Sequence, residues 1–289
     1  MTKLHLCVFV LLAGAAFATD GVSAQPAADG LARIKSAKAI NVAYSPDSIP
    51  FSVKGDGAEP LGYTIDLCRH VIAQIGRAVG VPNLKINWVP GSVSERLQMI
   101  ASGRADLECA NTTPTQSRLA TVDFSNLIFV DTGGLIVKSG GSVGKASDVS
   151  GKRVAVLKGT TTESRLNEAL RRRQITATLV TIDNAQDGIA MLESGSADAY
   201  AGDKIKLVGL MATAKNPSMF QLLPEDLSFE PYALALPHGD SALRLEVNKA
   251  LTQVYNSPDI ESIFAKWMGK LGQPSPLLTA LYLLNSIPE

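Results

Sequence analysis

Five polar residues with the chemistry to bind a small charged molecule follow predicted strands of this sequence. Asn111 and Thr113 come directly after one strand, and Arg118 follows shortly afterwards. Thr161 opens a helix after a second strand, and Asp203 comes after a third. Ligands of open α/β sheets bind beyond the carboxyl ends of strands, so these five positions are candidates for one site.

The side chains match the two charges of a zwitterionic amino acid. The guanidinium of Arg118 and the hydroxyls of Thr113 and Thr161 suit an α-carboxylate, and the carboxylate of Asp203 suits an α-ammonium. Thr161 also lies at a helix start, where free N–H groups favour an anion. Each residue alone is equally typical of a helix cap or a surface charge, so only the combination predicts a ligand.

Two blocks of alternating strands and helices position these residues. The predicted strands are 39–44, 84–89, 105–110, 153–157, 178–182 and 197–201, and the predicted helices are 63–79, 93–102, one from 161, 185–194, 204–215, 241–255 and 258–268. Segments 127–137 and 227–236 are extended and apolar, as expected of strands that cross between two bodies. The pattern predicts two α/β bodies with mostly parallel strands. The apolar residues after 269 are expected to pack onto one of them.

The composition predicts a globular chain without a nucleic-acid surface. The 289 residues carry 27 Lys and Arg against 27 Asp and Glu, a formal charge of zero, and no long run of like charges stands out. A strongly basic face for nucleic acid or a polybasic membrane patch is therefore not expected. The apolar content of 46% is enough to fill real cores.

Residues 1–24 have the pattern of a cleavable signal peptide. Lys3 precedes an apolar run, residues 4–18, and the segment ends in small residues before Gln25. The alternative is a membrane anchor, but the run is shorter than the roughly 20 residues that a bilayer requires. Cys7 lies too early for a lipoprotein attachment site. We expect a soluble, exported protein.

Export affects the interpretation of the cysteines. Cleavage removes Cys7 and leaves Cys68 and Cys109, and an even pair in an oxidising compartment favours a disulfide. Two unrelated buried thiols are the alternative. The remaining histidines, His70 and His238, lack metal-ligand spacing, so no metal site is predicted.

The chain resembles the periplasmic solute-binding proteins of polar amino-acid ABC transporters, family 3, especially the glutamate/aspartate-binding branch. The stretches that carry the resemblance are Pro50-Phe51, 61–68, Arg96-Leu97, Gly103, 106–109, 111–113, Arg118, 122–125, 151–154, 159–161, 192–195 and Lys266-Trp267. The resemblance implies the type 2 "Venus flytrap" fold, an α/β architecture of two lobes joined by two crossing hinge strands. It implies lobe 1 at 25–131 and 229–289 and lobe 2 at 132–228.

The family's ligand-binding residues can be placed on this sequence one by one. Arg118 matches the α-carboxylate arginine, Thr113 and Thr161 match hydroxyls from the two lobes, and Asp203 matches the ammonium-binding acid. Asn111 stands where the family usually has serine. Arg96 matches an arginine that, in acidic-amino-acid binders, helps to hold the side-chain carboxylate.

The resemblance implies a periplasmic, non-catalytic receptor that binds glutamate or aspartate and delivers it to an inner-membrane ABC permease. We expect a monomer without cofactors. Acidic-amino-acid binders usually carry more basic groups at the positions held here by 45–47 and Ala185, so a neutral ligand such as glutamine or asparagine remains an alternative. A second alternative is an enzyme resembling the exported cyclohexadienyl dehydratases, with Glu108 as general acid. A sensor module is a third.

Overall fold

The computed structural model of the protein describes residues 29–286. The predicted signal peptide at 1–24 lies outside these residues. The strands are β1 Ala39–Tyr44, β2 Asp47–Ser48, β3 Ser52–Lys54, β4 Pro60–Leu61, β5 Lys85–Pro90, β6 Leu107–Thr112, β7 Val122–Lys138, β8 Arg153–Leu157, β9 Thr178–Ile182, β10 Ala199–Asp203, β11 Phe220–Leu222 and β12 Ser228–Pro237. The α-helices are α1 Gly30–Ala37, α2 Tyr63–Ala78, α3 Val93–Ala101, α4 Gln116–Leu119, α5 Thr161–Arg172, α6 Ala185–Ser194, α7 Lys204–Thr213, α8 Ser241–Tyr255, α9 Asp259–Met268 and α10 Pro276–Asn285.

One nine-stranded sheet runs through the described part of the molecule. Its order is β5-β1-β6-β12-β7-β10-β8-β9, and β11 pairs with β7. At one end β1 lies parallel to β5 and β6, and at the other β8 lies parallel to β9 and β10. The two parallel blocks predicted from the alternating pattern are therefore confirmed.

The strands β7 and β12 connect the two blocks. They are antiparallel to each other along most of their length, β12 also pairs with β6, and β7 also pairs with β10. The two crossing strands predicted from the apolar extended segments are confirmed, and β7 begins earlier than predicted, at Val122. The lobe boundaries expected at 131 and 229 fall within β7 and β12 and stay a prediction.

Separate hydrophobic cores give the molecule two lobes. In the first lobe, α2, α8 and α9 pack on one face of the sheet around residues such as Leu67 and Leu107, and α3 covers the other face. In the second lobe, α5 packs on one face through Leu166, and α6 and α7 pack on the other through Ile189 and Leu207. The strands between the helix layers are buried on both faces, as parallel strands require.

Local sequence signals fix the helix starts that matter for the site. Ser92 and Glu95 form a capping box at the start of α3. Thr160 caps α5 by accepting from the N–H of Glu163, but the Glu163 carboxylate reaches one residue further back and accepts from the N–H of Gly159 at 2.7 Å. The side chains of Thr160 and Glu163 therefore both stabilise the turn before Thr161.

The apolar C-terminal segment packs on the first lobe, as predicted. Leu278, Leu281 and Tyr282 of α10 are buried in its core. The hydroxyl of Tyr282 lies 2.7 Å from that of Tyr63 in α2, and the Tyr63 hydroxyl donates to the carbonyl of Ile128. Across residues 29–286, helices fall short of the length and apolar character needed to cross a bilayer.

The predicted disulfide between Cys68 and Cys109 is confirmed. It joins α2 to β6, with Cα atoms 6.3 Å apart, and both residues are fully buried. The bond closes a loop with a sequence separation of 41 and fastens α2 to the strand that ends in Asn111. It thereby supports one wall of the candidate site.

We expect the double variant Cys68→Ala/Cys109→Ala to lose about 4 kcal/mol of unfolding free energy, because the disulfide restricts the unfolded chain. Urea denaturation under oxidising conditions measures this loss, and the wild-type protein treated with a reductant is the matched control. A loss below about 1 kcal/mol would show that the bond adds little constraint.

Candidate functional site

The polar residues predicted to form one site lie together between the lobes. Asn111 and Thr113 come from the end of β6 in the first lobe, and Thr161 and Asp203 come from α5 and β10 in the second. With Arg118 of α4 they line a small, partly open space that also touches Val93, Thr112, Thr160 and Lys206. Its volume is about 20 Å³, enough for about one water molecule, and a cleft of about 790 Å³ adjoins it at Thr113 and Thr161.

The Asp203 carboxylate faces this space rather than capping its helix. Asp203 directly precedes α7, yet its side chain makes no capping bond. Its two oxygens accept from the amide of Asn111 and the hydroxyl of Thr162, each at 3.0 Å. The bond from Asn111 crosses between the lobes. A simple capping role for Asp203 is therefore excluded, and its charge is available to a ligand cation.

Asp131 of β7 caps α7 in place of Asp203. One Asp131 oxygen accepts from the N–H of Ile205 at 3.0 Å, and the other accepts from the N–H of Thr132 at 2.7 Å. Burial, and then the nearby charge of Asp203, raise the pKa of Asp131 to about 7. Sequence reasoning missed Asp131, whose only signal is an acid inside an apolar crossing strand.

The Arg118 guanidinium spans the two lobes without a carboxylate partner. One nitrogen donates to the carbonyl of Thr113 at 2.7 Å, and another donates to the carbonyl of Gly159 in the second lobe at 3.2 Å. Burial lowers the pKa of Arg118, and the charges of Glu108 and Glu230 oppose that shift. Within residues 29–286, Arg118 forms no ion pair, so its charge is free to meet an anion.

Glu230 of β12 binds the two threonine hydroxyls assigned to the ligand by resemblance. One Glu230 oxygen accepts from Thr113 at 2.7 Å and from Thr161 at 2.6 Å, and the other accepts from Ser228 at 2.6 Å. A hydroxyl has one proton, so neither threonine can also donate to a ligand carboxylate while these bonds hold. Sequence reasoning missed Glu230, although a buried acid in an apolar strand signals a polar partner.

Arg96 is engaged inside the first lobe. Its side chain is 2% exposed, Nε donates to Glu108 at 2.7 Å, and Nη1 donates to the carbonyl of Gly91 at 2.8 Å. The same Glu108 oxygen accepts from Thr112 at 2.7 Å. The positive charge that the resemblance offers to a ligand side chain is therefore matched by Glu108, and the ligand role of Arg96 stays a prediction.

Lys206 contributes a further cation to the site. It lies in the first turn of α7, is 8% exposed as a whole residue and lines the same small space as Arg118 and Asp203. Sequence reasoning missed it, although a lysine three residues after Asp203 falls on the same side of the helix start.

The chain belongs to a known family of binding proteins. Residues 40–270 match the family described as bacterial extracellular solute-binding proteins, family 3. This finding confirms the family and the two-lobed fold expected from the sequence.

Two curated proteins and one solved structure illustrate the similarity. The L-glutamate/L-aspartate-binding protein of Pseudomonas aeruginosa is 32% identical over 85% of this chain and 81% of that protein. The glutamate/aspartate import solute-binding protein of Salmonella typhimurium is 29% identical over 91% of this chain and 86% of that protein. An ancestral arginine-binding protein bound to arginine has a TM-score of 0.71 and 26% identity, over 80% of this chain and 99% of that one.

Proposed function

We propose that this protein is a periplasmic receptor that binds an acidic amino acid between its lobes and delivers it to an ABC permease. The observation that carries the proposal is the placement of Arg118 and Asp203 around one small space, each bonded across the lobe interface. Arg118, which has no ion-pair partner in the described part of the chain, and Asp203, which is held by neutral donors, complement the two charges of a zwitterion.

Closure follows from the same arrangement. An amino acid that contacts Arg118 from one lobe and Asp203 from the other binds the closed form more tightly than the open form. The closed population then rises in proportion to that difference in affinity. A permease that recognises the closed form would thereby distinguish loaded from empty receptor.

The similarity to glutamate/aspartate-binding proteins supports an acidic ligand. A neutral polar amino acid such as glutamine is the second candidate. The specific observation that favours it is the ion pair between Arg96 and Glu108, which leaves one cation fewer for a ligand side chain.

A thermal-shift screen of the twenty amino acids tests the proposal. A ligand present at about 100 times its Kd adds about 2.7 kcal/mol to the free energy of unfolding. This gain raises the Tm of a chain of this size by roughly 5–10 °C. We expect glutamate or aspartate to give a larger shift than glutamine. Glutarate, which has both carboxylates of glutamate but no ammonium, is the control and should shift Tm less. A response to glutamine alone would exclude the acidic ligand.

A further inference from the structure

Lys206 occupies a position where its charge costs stability. The first turn of a helix carries partial positive charge, which favours acids and disfavours cations. The first turn of α7 contains Lys204 and Lys206 and no acidic residue. Lys204 is relieved by an ion pair with Asp226 at 2.6 Å. Lys206 forms no such ion pair within residues 29–286. Proteins retain an unfavourable charge of this kind chiefly at functional positions.

The ammonium of Lys206 lacks a counterion in the described part of the chain. More than nine-tenths of the residue is buried, and within residues 29–286 it forms neither an ion pair nor a hydrogen bond. An anion that enters the space lined by Lys206 would supply a counterion for this cation. The position therefore favours a ligand that brings a negative charge.

The charged groups of the site match a particular ligand chemistry. Among residues 29–286, Arg118 and Lys206 are two cations without an ion-pair partner, and Asp203 accepts from the neutral amide of Asn111 and the hydroxyl of Thr162. Glu230 is held by three hydroxyls, and Glu108 is paired with Arg96. A molecule with two carboxylates and one ammonium would satisfy both cations and Asp203 at once.

We propose that Lys206 determines specificity by forming an ion pair with the side-chain carboxylate of an acidic amino acid, while Arg118 binds the α-carboxylate. This inference rests on the proposed function and assigns to Lys206 the role that the resemblance gives to Arg96. Glutamine has an amide in place of the side-chain carboxylate. It would offer Lys206 a neutral acceptor and leave the charge of Lys206 without a counterion.

Titration calorimetry of Lys206→Met with L-glutamate and L-glutamine tests this inference. Methionine keeps the length and packing of the side chain and removes its charge. We expect the affinity for glutamate to fall about 100-fold, the typical effect of removing one partner of a buried charge pair. The affinity for glutamine should change less than about threefold, so the preference for glutamate disappears. Lys206→Arg restores the charge and should keep glutamate the preferred ligand.

The matched control is Lys215→Met, the same substitution at an exposed lysine beyond the end of α7, and it should leave both affinities unchanged. The ligand-free Lys206→Met protein should melt at or above the wild-type temperature, because a cation has been removed from the first turn of a helix. A large fall in Tm would contradict the inference. Equal losses for glutamate and glutamine, or no loss for glutamate, would also overturn it. If the wild-type protein binds no amino acid, the proposed function itself fails. If the wild-type protein binds glutamate but Lys206→Met keeps the preference for glutamate, only the inference about Lys206 fails.

Discussion

Replacing Arg118 with alanine will remove most of the amino-acid affinity. The guanidinium lies half-buried between the lobes, and its described hydrogen bonds go to two carbonyl oxygens. A ligand carboxylate left without this cation in a closed site loses about 3–5 kcal/mol, which is roughly two to four orders of magnitude in Kd. Titration calorimetry of the variant with L-glutamate measures the loss.

Two further variants make the Arg118 result specific. Arg118→Lys keeps the charge but not the planar fork, so its affinity should lie between those of wild type and the alanine variant. Arg77→Ala removes an exposed arginine from the last turn of α2, and should leave Kd unchanged. Wild-type affinity in Arg118→Ala would remove Arg118 from the site.

Replacing Asp203 with asparagine will weaken amino-acid binding by roughly 1.5 to 3.5 orders of magnitude. The substitution keeps the shape of the side chain and removes the charge that we assign to the ligand's ammonium, and losing one partner of such a buried pair costs about 2–5 kcal/mol. Calorimetry with L-glutamate measures the loss. Glutarate, which has no ammonium, is the matched ligand and should bind the variant at least as well as it binds wild type.

The same variant has a consequence that does not depend on any ligand. The charge of Asp203 contributes to raising the pKa of Asp131 to about 7. Without that charge the carboxyl of Asp131 should ionise at lower pH, which NMR titration of its carboxyl carbon can detect. A loss of glutamate and glutarate binding by equal factors, with the pKa of Asp131 unchanged, would show that Asp203 acts only as a structural residue.

The fold could be predicted from the sequence because its signals are local. The capping box of Ser92 and Glu95 sets the start of α3, and the strands β8 and β9 have the predicted bounds. The crossing strands stand out because each is a single extended apolar run. The small strands β2, β3 and β4 were missed, since each is only two or three residues long. Such a segment is too short to show the alternation of apolar and polar residues that indicates a strand.

The site was predictable only in part, because its partners come from distant segments. The rule that ligands bind beyond the ends of parallel strands placed Arg118, Thr161 and Asp203 together. The ion pair between Arg96 and Glu108 depends on how α3 packs against β6, which periodicity does not specify. The bonds from Thr113 and Thr161 to Glu230 depend on the crossing strand reaching both lobes. Neither arrangement has a signal in sequence spacing.

A crystal structure of the protein with L-glutamate tests the central claim most directly, which is that the two lobes each hold one charge of a single amino acid. We expect the α-carboxylate within hydrogen-bond distance, about 3 Å, of the Arg118 guanidinium, and the α-ammonium at the same distance from the Asp203 carboxylate. A bound glutamate that contacts neither residue, or contacts residues of one lobe only, would contradict the claim.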